Sequence, residues 1–191
     1  MEHLWQLIIL FFVIFDPVMS FALFFTATKP LAAKHRNKTA VYAILVAGAL
    51  SYLVLFFGEG LLQLFNTPLS DFKIAGGIIL GILGIKMVLG QAIIEPDDQK
   101  RTSYAVAVVI GTPLITGPAA ITAIIIAVHD FGMAVTGVAI GIILIFTLLL
   151  FLFSSLIRKH IGYTFIQIIS TILGLITVAW GVTFVRAGLG I

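Results

Sequence analysis

Asp16, Pro17 and Ser20 stand together inside an apolar run extending from about Leu4 to Thr28. A second run, from about Tyr104 to Val128, holds Thr112, Pro113, Thr116, Gly117 and Pro118. A carboxylate at the centre of a membrane span costs about 2.5–3.5 kcal/mol on insertion scales and needs a reason. Proline removes a backbone donor and disfavours helix at the residue before it. Asp16-Pro17 therefore reads as an N-cap followed by proline at the first helical position, where a helix restarts. Thr112-Pro113 makes the same pair, and Gly117-Pro118 adds a second break. Restarted helices present free N–H groups and partial positive charge, which can hold a carboxylate. Asp16 supplies the opposite charge, able to hold an ammonium or accept a proton, and Ser20 and Thr116 add hydroxyls one turn on. Such a set suits a zwitterion with a small, uncharged side chain. The structural alternative is that Asp16 and Thr112 satisfy N–H groups freed at proline kinks, while the hydroxyl residues pack helices together.

The elements that must position these residues follow from composition. Of 191 residues, 61% are hydrophobic and 10% charged, and the mean hydropathy is +1.21. Soluble domains carry about 45–50% apolar and about 25% charged residues, so a water-exposed globule is excluded. Six apolar runs are each long enough to cross a bilayer: about Leu4–Thr28, Thr39–Phe65, Phe72–Gly90, Tyr104–Val128, Met133–Ile157 and Thr164–Val185. Backbone groups in lipid must bond internally, and β-barrel alternation is absent, so the runs are helices. The first run has no basic leader and is too long for a secretory signal, so it reads as a retained span.

Lys29, Lys34, Arg36 and Lys38 follow span one, Lys100 and Arg101 follow span three, and Arg158 and Lys159 follow span five. The gaps after spans two and four hold neither Lys nor Arg. This asymmetry predicts a multi-pass plasma-membrane protein with both termini outside. The net charge of +3 is thereby membrane-flanking and does not indicate nucleic acid. Cysteine is absent, which excludes disulfides and thiol chemistry.

Self-comparison adds an internal repeat. A shift of 96 places Asp16-Pro17 on Thr112-Pro113 and Ser20 on Thr116, and a shift of 97 places Gly77 on Gly174 and Gly84 on Gly181. Three spans per half is an odd number, so the halves, about 1–95 and 97–191 of one transmembrane domain, enter the membrane from opposite sides. The predicted fold is an all-α polytopic membrane protein of two inverted three-helix repeats, with spans one and four interrupted. Small-residue faces at Gly77, Gly81 and Gly84, and at Ser170, Gly174, Thr177 and Gly181, are expected to cradle the interrupted spans or let them slide. Glu59, near the outer end of span two, is a lesser candidate for a gate or proton relay beside the simpler reading of an interfacial carboxylate. No metal-ligand spacing, cofactor fingerprint, P-loop or Ser-His-Asp set is found, so neither an enzyme nor a primary pump is expected.

The stretch Phe15-Asp16-Pro17-Val18-Met19-Ser20, with Phe24 and Thr26 after it, resembles the first signature of the MarC family. Thr112-Pro113-Leu114-Ile115-Thr116-Gly117-Pro118-Ala119-Ala120-Ile121-Thr122 resembles its second, and Phe72-Lys73-Ile74-Ala75-Gly76-Gly77-Ile78 a third. The resemblance covers essentially the whole chain. It implies a six-span inner-membrane protein akin to amino-acid exporters and permeases, some of which move glycine or alanine using an ion gradient. The chain departs from the usual pattern at Met19, Ser20 and Ala22, where relatives commonly have Gly, Asn and Pro, and at Lys73, where Arg is usual.

The expected function is secondary transport of a small neutral amino acid by alternating access, with a proton or sodium ion as coupling partner. Transport of another small solute or anion, and a non-transporting assembly or structural role, stand as alternatives. A homo-oligomer is compatible with the sequence.

Overall fold

The computed structural model describes residues 2–28, 31–90, 115–154 and 163–191. Every regular element among them is a helix: α1 Glu2–Phe15, α2 Pro17–Thr28, α3 Ala33–Leu64, α4 Leu69–Val88, α5 Pro118–Phe131, α6 Met133–Leu152 and α7 Tyr163–Leu189. Among the described residues, four stretches are long and apolar enough to cross a membrane, namely Glu2–Phe25, Ala33–Leu64, Met133–Leu152 and Gln167–Leu189. α4 has the length, at 20 residues, but carries Asp71, Lys73 and Lys86 towards its ends. α5 contributes 14 apolar residues.

α3 begins at Ala33, earlier than the expected Thr39, because Lys34, Arg36 and Lys38 belong to its first turns. Apolarity marks the part of a helix inside lipid, whereas Lys and Arg extend helices readily. The outer surface is apolar: Leu45, Phe56, Phe57, Ile145 and Leu175 are each more than half exposed. Water would not tolerate such a belt, and lipid does.

Of these four described stretches, the interrupted span is the most enclosed. Its apolar window is 56% buried, against 33% for α3 and for the α7 stretch. Phe11, Phe15 and Phe24 fill the core against Ile124, Ile140 and Phe151, and the Phe24 and Phe151 rings stack at 4.3 Å. Short side chains admit these rings: Ala40, Ala43 and Ala47 on α3, and Ala119, Ala120, Ala123 and Ala127 on α5, are all buried. Buried threonines satisfy themselves, as Thr28, Thr147 and Thr177 each donate to the carbonyl four residues back.

α4 and α7 run antiparallel and touch through backbone. A methyl group built on Gly77 would lie 2.5 Å from the Gly181 carbonyl oxygen, and one on Gly84 would lie 2.6 Å from that of Gly174. The small-residue faces expected to cradle the interrupted spans therefore clasp each other. Sequence periodicity shows which face is small and cannot show its partner.

One end of the bundle gathers residues near both chain ends. The His3 and Phe131 rings lie 5.4 Å apart, Lys73 pairs with Asp130 at 3.4 Å, and Gly188 packs over Ser70 and Ile74. The Lys73–Asp130 pair is partly exposed, so Lys73→Ala should cost no more than about 1 kcal/mol of stability in a thermal melt.

Candidate functional site

α1 ends and α2 begins at Asp16, as the Asp-Pro pair predicts. Asp16 has φ +39°, a left-handed conformation that Asp tolerates better than most residues. Its Oδ1 accepts the Met19 N–H at 3.0 Å, and its carbonyl accepts the Ser20 N–H at 2.9 Å. Pro17 takes the first helical position, where its missing donor removes no helical bond. The Ser20 hydroxyl donates to the Phe15 carbonyl at 3.1 Å, satisfying an acceptor at the end of α1. Asp16 is only 6% exposed, and its Oδ2 has no hydrogen-bond partner among the described residues. A buried polar atom left in this way requires an explanation.

Asp16 is one of the residues lining a cavity of about 120 Å³. Asp16, Met19 and Ser20 line it from the break in span one, and Gly117, Pro118, Ala119 and Ala120 from the start of α5. Ile79, Leu83 and Met87 of α4, spaced one turn apart, form an apolar side. α5 has Gly117 as N-cap with no side-chain capping bond and Pro118 in its first turn. The N–H groups of its first turn have no helical acceptors, so this end of α5 offers donors and the positive end of a dipole. The cavity therefore has the Asp16 carboxyl group at one side, the partly positive start of α5 at another, and an apolar flank.

The other expected site residues divide. Pro17 is buried at the break and outside the cavity wall. Thr116 turns away to α3, donating to the Ala47 carbonyl at 3.2 Å, with the Ser51 hydroxyl 3.5 Å away. Thr112 and Pro113 lie outside the described residues, and the helix start described within the fourth apolar run is at Pro118. Of the two half-helix N-termini expected to face a ligand carboxylate, the one at Pro17 has its Met19 N–H bonded by Asp16 itself, and the one at Pro113 lies outside the described residues. Glu59 is absent from the cavity; it sits exposed, 3.5 Å from the His129 imidazole. The α4 wall escaped the sequence reading, because Ile79, Leu83 and Met87 look like any lipid-facing stripe. The described residues contain no cluster of His, Asp or Glu suited to a metal.

Fold and site together define a polytopic helical membrane protein with a small bipolar cavity at the break of its first span. The chain belongs to the MarC family: a family model described as "MarC family integral membrane protein" matches residues 1–190. It is similar to the UPF0056 membrane protein YhcE of Escherichia coli, at 30% identity over 93% of this chain and 87% of that one. It is equally similar, at 30% identity, to a UPF0056 membrane protein of Methanocaldococcus jannaschii, over 93% of this chain and 91% of the relative. A UPF0056 membrane protein of Buchnera aphidicola is also 30% identical, over 93% and 88% of the two chains. No solved structure matches the chain.

Proposed function

We propose that this protein is a secondary transporter of small neutral amino acids, working by alternating access. The carrying observation is the cavity lined both by Asp16, a buried residue with an unpartnered carboxyl oxygen, and by the uncapped N-terminus of α5. The carboxylate holds the ammonium group, and the α5 N–H groups hold the carboxylate. Size agrees: an engineered cavity of about 150 Å³ takes benzene, with six heavy atoms. A cavity of about 120 Å³ suits glycine or alanine, with five and six heavy atoms.

Pairings between the halves support an inverted repeat. Gly77 faces Gly181 and Gly84 faces Gly174, and the α7 glycines are the repeat equivalents of the α4 ones. Exchanging the halves maps each contact onto the other. Gly48 of α3 faces Leu144 of α6, its own repeat equivalent, so that contact maps onto itself. This is the pattern of a two-fold axis in the membrane plane. The Lys and Arg asymmetry puts the end carrying residues 3, 73, 130 and 188 outside, with the plasma membrane as location.

Reconstituted protein should take up labelled glycine or alanine saturably, and a panel of imposed proton and sodium gradients identifies the coupling ion. Liposomes that show no flux above protein-free controls under any gradient would refute the reading. Met87 is almost fully buried in the apolar flank, so Met87→Ala enlarges the cavity where a substrate side chain would lie. The valine-to-glycine uptake ratio should rise at least about tenfold, since roughly two methylenes of burial are gained at about 0.8 kcal/mol each.

A further inference from the structure

Ser20 and Thr116 are repeat equivalents, yet the structure places them differently. Ser20 lines the cavity and bonds within its own span at Phe15. Thr116 is 3% exposed, lies outside the cavity, and is docked on α3 at the Ala47 carbonyl and the Ser51 hydroxyl. Thr116 gives its proton to Ala47, so Ser51 is the donor to Thr116.

The dock used by Thr116 has a counterpart on α6 that is closed on itself. The residues 96 positions after Ala47 and Ser51 are Ile143 and Thr147, on α6. Thr147 is fully buried, and its hydroxyl bonds back to the Ile143 carbonyl at 2.8 Å. Carbonyl and hydroxyl thus sit one turn apart on α6, as they do on α3. α2 already packs on α6, through the Phe24–Phe151 stack, so Ser20 has this dock within its own neighbourhood.

We infer that the Ile143 carbonyl and Thr147 hydroxyl form the dock for Ser20 in the opposite-facing state, in which Thr116 leaves Ala47 and Ser51 and lines the cavity. The inference rests on the carrier reading above and adds the residues that exchange. An inverted pair of repeats makes this exchange natural: each half takes up the conformation the other has just left, and the two states have similar energy because they bury equivalent contacts. Ser20 exchanges the Phe15 carbonyl for that of Ile143, and Thr147 turns from Ile143 to Ser20 as Ser51 now bonds Thr116, so this half loses no buried hydrogen bond.

The chain has no cysteine, so introduced pairs can be read without background. In the full protein in liposomes, Ser51→Cys with Thr116→Cys should form a disulfide on oxidation, trapping the state described here. Phe24→Cys with Phe151→Cys should do so in either state, reporting that α2 and α6 are assembled. Ser20→Cys with Thr147→Cys should cross-link as well, with a yield that changes at least threefold when saturating glycine is added. A single Thr116→Cys gives a second route that leaves Ser20 untouched. Its thiol, buried in this state, should react with a small methanethiosulfonate reagent at least fivefold faster in the conditions that favour the Ser20–Thr147 cross-link. If the assembly control cross-links while Thr116→Cys stays unreactive and Ser20→Cys never reaches Thr147→Cys, the dock is overturned. Glycine flux by the unsubstituted protein alongside that result leaves the carrier reading standing, whereas absence of all flux overturns both.

Discussion

Asp16→Asn should reduce glycine uptake at least about thirtyfold while leaving the fold intact. Asparagine is as good an N-cap as aspartate and tolerates a positive φ, so its side-chain oxygen can still accept the Met19 N–H. What changes is the side chain at the cavity wall, from a carboxylate to a neutral amide. Truncating one partner of a buried, hydrogen-bonded charge pair costs about 2–5 kcal/mol, and the lower figure is already a thirtyfold loss. Asp16→Gly separates the two roles in another way: it suits φ +39° without strain, but removes both the cap and the charge. The thermal midpoint of Asp16→Asn in detergent should stay within a few degrees of the parent. A variant that folds and transports normally would show that the buried carboxylate serves the break in the helix and nothing else.

The second large effect is on assembly. Gly84→Leu should abolish recovery of monodisperse protein or lower its thermal midpoint sharply, because a first carbon at Gly84 already meets the Gly174 carbonyl oxygen at 2.6 Å. Backbone is the obstacle, so no rotamer relieves it, and α4 and α7 must separate. Overpacking a rigid contact costs about 1–3 kcal/mol and more when backbone has to move. Gly81, on the same stripe, makes the contrasting case. A methyl there meets no atom within 4 Å, so Gly81→Ala should be neutral or stabilising by up to about 1 kcal/mol. Equal damage from both substitutions would mean that the α4–α7 clasp is wrongly placed.

The difference between those two glycines also shows where the sequence is legible. Asp16-Pro17 could be read as a helix restart because capping is local: the acceptor, the missing donor and the first turn are all within four residues. Length and apolarity located the long helices for a similar reason, since the bilayer imposes a thickness. Partners across space left no such mark. The glycine stripes announced close packing without naming α4 and α7 as each other's neighbours. Thr116 looked equivalent to Ser20, and only the fold shows one hydroxyl on α3 and the other at the cavity. The apolar wall of Ile79, Leu83 and Met87 carried no signal, because in a membrane protein a leucine facing a substrate and a leucine facing lipid are the same letter.

Equilibrium binding of labelled glycine to the purified protein tests the bipolar cavity most directly, since it needs no gradient and no sidedness. The parent protein should bind saturably, with alanine competing and with acetate and methylamine, each carrying only one of the two charges, failing to compete at the same concentration. Asp16→Asn should show no saturable binding. Acetate competing as well as alanine, or undiminished binding by Asp16→Asn, would contradict a site that holds a zwitterion between Asp16 and the start of α5.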